Sequence, residues 1–493
     1  MYIVEMGKPH EVPDKFDVFE QWLRDNGSKF PKLVLQDYGN EVRGCHASDP
    51  IMKNDVLVEI PLKCLITVEM GKETPLGKAI LASNIDLDAP KHIFLMMFIL
   101  TDRLKEDSFF KPYYDILPVT LNNMPIFWTE KQLALLKGSY MIEQIKERRE
   151  TIEQDFHSIC SIAPELTKVC DLDTFKWARM AVCSRNFGIV VNGVRTAALV
   201  PYADMLNHLR PRQSKWQFED QMQSFTITSL SNLPVGVQVY DSYGQKCNHR
   251  FLLNYGFSVE SNVESDGYCP NECPFLIKLN PDDELFEDKA AVLRRDGGSS
   301  AARRVRVAVG DVDTMKLLFA VLRLVTLGED DFRSCIPGGL KTLREATVPF
   351  SVESEVAALT MLKNLCMDML DKYPTSYDED VARLEGKHPV LEKGEKVDPV
   401  GVLYTNERHA VIQVRGEKEV LGHFLVLSEL ALDLLTSGCL PEELEMIIKE
   451  RLRGRVHENI YQYCRGPILR VTRAAQRKQM ALEGDEGDED EET

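Results

Sequence analysis

The chain changes its hydrophobic rhythm several times along its length. Residues Phe16 to Arg24 place apolar side chains at helical spacing, and Asn26-Gly27 supplies a stop, so a short leading helix is predicted. From Lys32 to Thr67 the pattern shortens to β-like runs, Leu33-Val34-Leu35, Val56 to Ile60 and Leu65-Ile66-Thr67, separated by Gly, Asn, Asp and Pro. Between about Pro75 and Asp173 the spacing is helical again, in Ile93 to Leu104 and in the charge-rich stretch Lys131 to Phe156. Strand signals return at Gly188 to Val200, Ser224 to Leu230 and Gln238 to Tyr240, so a β region split by a helical insertion is expected. Beyond Pro274 amphipathic runs dominate, at Val312 to Leu327, Glu353 to Tyr373, Glu417 to Leu435 and Glu442 to Arg451. They predict a separate helical domain, with Arg294 to Arg306, rich in Gly, Ser, Ala and Arg, as a mobile loop inside it.

Composition narrows the class. A chain of 493 residues exceeds one compact core, and 44% hydrophobic with 28% charged residues is a globular balance. No apolar run approaches the roughly 18 residues of a membrane span, so no membrane association is expected. The first residues lack the pattern of a secretory or transit peptide, which predicts a cytoplasmic or nuclear address. Twelve scattered cysteines suit free thiols in a reducing compartment. Cys247 and His249, followed by Cys269 and Cys273, fit no standard zinc spacing, and no metal is expected. A net charge of −18 disfavours direct nucleic acid binding and favours a basic protein partner. The end of the chain, 480–493, holds the acidic run from Glu483 and reads as a solvated, disordered tail.

Two segments concentrate polar and aromatic residues between apolar strands: Val200-Pro-Tyr-Ala-Asp-Met-Leu-Asn-His208 and Tyr240-Asp-Ser-Tyr-Gly-Gln-Lys-Cys-Asn-His249. Alone, Asn207-His208 reads as a turn with a satisfied histidine, and a strand tyrosine as core. Around them, however, lie Glu41-Val-Arg-Gly44, Ser184-Arg-Asn-Phe187, Tyr243-Gly244 and Asn254-Tyr-Gly-Phe257 in order. That ordered set resembles a SET domain, and more narrowly the SET family typified by plant Rubisco large-subunit lysine methyltransferases and their animal relatives, including the actin-histidine methyltransferase. Its carriers are HASDPIMKNDVLVEIP with the turn before it, SRNF, VPYADMLNH, DSYGQKCN and NYGF. Each is weak alone, and together they cover most of the chain; YPTSYDED and HAVIQVRGEKEVL resemble pieces of the family's substrate-binding domain.

The resemblance implies an α+β fold: a SET domain of small sheets over 16–260, split by a helical insertion at about 75–173, then a mainly helical substrate-binding domain over 275–465. It implies S-adenosylmethionine as cofactor and a protein substrate presenting a lysine; a monomer is expected. Glu41, Val42, Arg43, Arg185, Asn207, His208 and Tyr243 would hold the cofactor, with Arg185 as the partner of its carboxylate. Arg185, Asp204, Trp216, Tyr243 and Tyr255 would face the substrate, and Tyr243 would be the catalytic tyrosine, orienting the amine rather than acting as a strong base. The chain departs from the family where many members carry Gly-x-Gly, having Val42-Arg43-Gly44 instead, so a side chain accompanies the backbone to the cofactor. Members that methylate actin histidine carry Asn and Trp where this chain has Phe187 and Ala203, as the lysine enzymes do, so lysine is expected. A histidine methyltransferase and a non-catalytic SET-like adaptor are the alternatives.

Overall fold

The computed structural model describes residues 14–39, 42–297, 299, 301–334, 340–385 and 405–489. They form an α+β protein of two compact units. The first comprises the described residues of Met1–Thr129, Glu143–Lys246 and Arg250–Phe257, the second those of Glu130–Ile142, Cys247–His249 and Ser258–Thr493.

In the first unit the leading amphipathic run becomes the helix Lys15–Asp25, which buries Phe19 and Leu23. Three small sheets follow. One has the order β1 (Leu33–Gly39), β2 (Val42–Ala47), β10 (Gln238–Asp241), β7 (Asn207–His208). A second has β3 (Val56–Pro61), β9 (Ser224–Ser229), β8 (Ser214–Glu219), and a third β4 (Ile66–Thr67), β6 (Val194–Leu199), β5 (Asn186–Val191). Pairing is antiparallel except between β10 and β7, where Tyr240 lies beside Asn207 and Asp241 beside His208. Helices occupy the chain between β4 and β5, among them Pro90–Asp102 and Leu172–Arg185, so the helical insertion reaches further at both ends than its periodicity indicated. Strand β8 carries Lys215, Gln217 and Glu219 between Trp216 and Phe218, a polar alternation that gave no strand signal.

The second unit is mainly helical. Its long helices start where a side chain satisfies free backbone N–H groups: Asp311 caps Val312–Thr326, Ser351 caps Val352–Leu370 and Thr405 caps Asn406–Thr436. The stretch expected as a loop has regular structure at both of its ends. The helix Phe286–Arg295 covers its start, and β12 (Ala302–Ala308) pairs antiparallel with β11 (Glu272–Lys278) at its end. Val305 and Val307 alternate inward between arginines, a period-two pattern that residue composition masked. The last helix, Leu469–Glu489, includes much of the acidic stretch.

Buried polar networks organise this unit, two of them around a glutamate. Arg323 and Glu355, both essentially without exposed surface, meet in a bidentate pair at 2.6 and 2.8 Å, and the Tyr463 hydroxyl donates to the same carboxylate. Glu417 accepts from Ser139 Oγ and Gln413 Nε2 at 2.6 Å each and from the Tyr373 hydroxyl. Removing one member of a buried pair strands the other charge, so Glu355→Ala is expected to cost about 3–5 kcal/mol. Denaturant unfolding followed by circular dichroism measures this, and a loss below about 1 kcal/mol contradicts the assignment.

Candidate functional site

The polar residues of VPYADMLNH are aimed by a strained turn. Tyr202, buried and stacked on Phe30 at 4.0 Å, has φ +73°, a conformation that costs a residue with a Cβ about 1–3 kcal/mol. The 3-10 turn Ala203–Met205 follows, and β7 then carries Asn207 and His208. This places Asp204, its side chain 1% exposed, against Arg185 from the end of the helix Leu172–Arg185, with Nη1 to Oδ2 at 3.0 Å. The Tyr113 hydroxyl donates to the same oxygen at 2.8 Å. Desolvation opposes the charge on Arg185, but Asp204 and Tyr113 overcome it and raise its pKa. Arg43 stands nearby on β2; burial and the neighbouring Arg185 lower its pKa to about 10, against the pull of Asp204, and its Nη1 donates to the Ile116 carbonyl at 2.6 Å.

Asn207 closes the next layer. Its Nδ2 donates to the Arg43 carbonyl at 2.8 Å and to Gln238 Oε1 at 2.9 Å, tying β7 to β2 and β10. Gly44 allows this closeness, since a Cβ there would come within 2.8 Å of Tyr38 Oη and 2.9 Å of Gln238 Cδ. At the glycine of Val42-Arg43-Gly44 that remains, a side chain would have to displace the ends of Tyr38 and Gln238. His208 accepts from the Tyr243 backbone N–H at 3.0 Å through Nδ1, its ring lying 4.7 Å from Phe251 and 5.2 Å from Tyr243.

Tyr243 stacks on Tyr255 at 4.9 Å and donates its hydroxyl hydrogen to the Leu206 carbonyl at 2.9 Å. With its only hydrogen engaged, that oxygen can act toward a ligand only as an acceptor. Burial raises its pKa, so it stays a neutral phenol. Tyr255 is fixed from below by Gly256, whose φ of +78° and packing leave no room for a side chain: a Cβ would lie 2.2 Å from Asn123 Nδ2. Phe257 completes the aromatic group, 6.1 Å from both tyrosine rings. Trp216 belongs to a neighbouring cluster, edge-on to Phe187 at 5.5 Å and 5.7 Å from Phe225, and among the described residues makes no ring contact with Tyr243 or Tyr255.

Most of the residues singled out from the sequence thus converge: Arg43, Arg185, Asp204, Asn207, His208, Tyr243 and Tyr255. Val42 opens β2, paired with Gly39, and Glu41 lies outside the described residues. Sequence reading missed Tyr113 and Gln238. Tyr113 is 91 residues from Asp204 in the chain, and no local spacing signals such a pair.

Four buried polar atoms of this group have no hydrogen-bond partner among the described residues: Arg43 Nη2, Arg185 Nε, Asp204 Oδ1 and His208 Nε2. Buried donors and acceptors are seldom left so, and their grouping here makes this the candidate ligand site. Guanidinium N–H groups beside one carboxylate oxygen suit a zwitterion, an α-carboxylate together with an α-ammonium.

His208 supplies a pH test. Burial, reinforced by the cationic Arg210 and Lys246, lowers its pKa from 6.5 to about 3. The folded state therefore binds fewer protons than the unfolded state between these values, and stability falls as pH drops from about 6.5 toward 3. His208→Gln is expected to abolish about 2 kcal/mol of the loss between pH 7 and pH 5. Urea midpoints of both proteins at the two pH values read this directly; equal slopes would show an ordinary, solvated imidazole.

Comparison with known proteins adds three findings. The family model described as Rubisco LSMT substrate-binding matches residues 280–421. The actin-histidine N-methyltransferases of Xenopus tropicalis and Gallus gallus are each 26% identical, over 389 and 388 residues, covering 76% of this chain. The chain spans 65% and 64% of those relatives' lengths. Among solved structures, Rubisco LSMT bound to AdoMet aligns with a TM-score of 0.66 at 22% identity, covering 86% of this chain and 94% of that one. The SET domain of LSMT bound to lysine and AdoHcy aligns with 0.67 at 21%, covering 86% and 92%.

Proposed function

We propose that this chain, a member of the family that joins an LSMT-type SET domain to a Rubisco LSMT substrate-binding domain, is an S-adenosylmethionine-dependent protein methyltransferase acting on a lysine side chain. The observation that carries this reading is the buried, unsatisfied set Arg43 Nη2, Arg185 Nε, Asp204 Oδ1 and His208 Nε2 beside an acceptor-only tyrosine.

The residues fit the cofactor. Arg185 and Arg43 would take the α-carboxylate, Asp204 the α-ammonium, and Asn207 would hold the β2 backbone where the cofactor lies. When bound, S-adenosylmethionine supplies an electrophilic methyl group on a sulfonium, which needs positioning and a neutral nucleophile rather than a strong base. The chain's task at the other end is to admit an amine and keep it uncharged. The stacked Tyr243 and Tyr255 rings and Phe257 make a poorly hydrated wall, which disfavours an ammonium and lowers the pKa of an entering lysine. Tyr243 Oη, its hydrogen held by Leu206, accepts an N–H from the amine and so turns the nitrogen lone pair toward the methyl group. His208 stays neutral and adds no cationic repulsion to the sulfonium.

The resemblance favours lysine over histidine, since Phe187 stands where the histidine-methylating members carry Asn. Phe187 meets Trp216 and Phe225 edge-on and offers no hydrogen bond, whereas an imidazole substrate needs a polar partner to fix which ring nitrogen carries the lone pair. A histidine acceptor is the second reading, favoured by the names of the relatives.

Calorimetric titration with S-adenosylmethionine is expected to give saturable one-site binding, weakened at least tenfold in Asn207→Ala and Arg185→Ala. Tyr243→Phe should retain binding and lose about 10²-fold or more in turnover. Absence of binding by the unaltered chain would reject an enzyme and leave the adaptor reading. Transfer of labelled methyl groups to a protein extract, followed by acid hydrolysis and amino-acid analysis, should yield methyl-lysine; methyl-histidine would establish the second reading.

A further inference from the structure

The second unit brings together three side chains of metal-binding type. Cys247 Sγ lies 3.7 Å from His249 Nε2, and that nitrogen is 3.8 Å from Glu272 Oε1. All three ligand atoms fall within 4.8 Å of one another, the cysteine and histidine buried and the glutamate half-buried. Tetrahedral zinc bound by sulfur, nitrogen and oxygen separates its ligands by about 3.6 Å for S to N and about 3.3 Å for N to O. The S–N edge is already near that separation and the N–O edge has about half an ångström to close, while the S–O edge, within 4.8 Å, has to close to about 3.6 Å.

Tyr140 can hold the histidine in the tautomer that a metal requires. The Tyr140 hydroxyl lies 3.1 Å from the Glu272 main-chain carbonyl, which can only accept, and 2.8 Å from His249 Nδ1. With its single hydrogen given to the carbonyl, its oxygen accepts from Nδ1–H, and this arrangement leaves Nε2 to present its lone pair toward Cys247 and Glu272. A ligating imidazole is commonly fixed through its other nitrogen in this way. Arg306 Nη1, 3.3 Å from Glu272 Oε1, orients the carboxylate, and an ion entering the triangle would share that oxygen with it or take the other. The group borders a narrow pocket whose remaining wall includes Gln413, and Gln413 Oε1, buried and without a hydrogen-bond partner among the described residues, suits a fourth ligand.

We propose that Cys247, His249 and Glu272 bind one zinc-class divalent cation, with Tyr140 as the positioning residue of the imidazole. The thiol selects a borderline-soft ion over magnesium or calcium, and its proton is released to solvent when the sulfur binds as thiolate. The spacing of the cysteines concealed the site because its third ligand is neither Cys269 nor Cys273. It is Glu272, whose neighbour Cys273 points to the opposite face of β11.

The test uses the full chain, stripped with chelator under reducing conditions, and cobalt(II) as the probe. One equivalent should bind with a thiolate-to-cobalt charge-transfer absorption, be displaced by stoichiometric zinc, and lose that absorption in Cys247→Ser. Tyr140→Phe should weaken binding about 10-fold while the absorption is kept. Absence of the charge-transfer band in the unaltered chain, or its persistence in Cys247→Ser, overturns the proposal and leaves a thiol hydrogen-bonded to an imidazole. Should Cys247→Ser fail to fold, alkylation of the unaltered chain with and without zinc decides, located by peptide mass spectrometry. Zinc must shield Cys247, and equal labelling refutes the site.

Discussion

A carboxylate with 1% of its side chain exposed is tolerable only where cations and donors surround it, and Asp204 is surrounded from three directions. Arg185 reaches it from the end of a helix, Tyr113 from the insertion, and Arg43 stands close enough on β2 for their charges to interact. The insertion, the helix leading into β5 and the sheet of β1, β2, β10 and β7 are thereby referred to one point. The positive φ of Tyr202 belongs to the same arrangement, because the turn it starts decides where Asp204 points and where Asn207 begins β7. Stacking of Tyr202 on Phe30 supplies part of the energy that holds it.

From that anchor the two halves of the site take opposite electrostatic characters. On the side of Arg43, Arg185 and Asp204, charges are concentrated and left with open valences, which suits a ligand carrying both signs. On the side of His208, Tyr243, Tyr255 and Phe257, burial suppresses ionisation: the imidazole is neutral and the phenols stay protonated. A methyl donor with a zwitterionic tail and a neutral acceptor amine ask for this division. The parallel pairing of β7 with β10 makes it possible, bringing Asn207-His208 alongside the strand that ends two residues before Tyr243.

Much of this is legible in the sequence. Helix Lys15–Asp25 and helix Val312–Thr326 follow their apolar spacing to within a residue or two, because amphipathic helices against a core are written in local period. The motif residues Arg185, Asp204, Asn207 and Tyr243 do converge, and were found by resemblance rather than by period. What escaped is what depends on distant partners. Strand β8 has a polar face, and β12 hides its alternation among arginines, so each is defined by its pairing rather than by its residues. Tyr113 and Gln238 acquire meaning only from side chains 91 and 31 residues away. Trp216 packs with Phe187 and Phe225, where alternation along β8 directs it.

Glu417 has a consequence beyond packing. Its burial pushes its pKa up to about 7 despite hydrogen bonds from Ser139, Tyr373 and Gln413 that favour the carboxylate. In the unfolded chain the same group gives up its proton near 4.5. Between those values the native state holds a proton that the unfolded state has released, so forming the second unit is in part a proton-consuming reaction. The stability this confers is fullest below pH 4.5 and fades as pH rises through 7. The long helix Asn406–Thr436 thus carries in its interior an acid that is half-titrated near neutrality, and the acidity of its surroundings enters the folding equilibrium as a reactant.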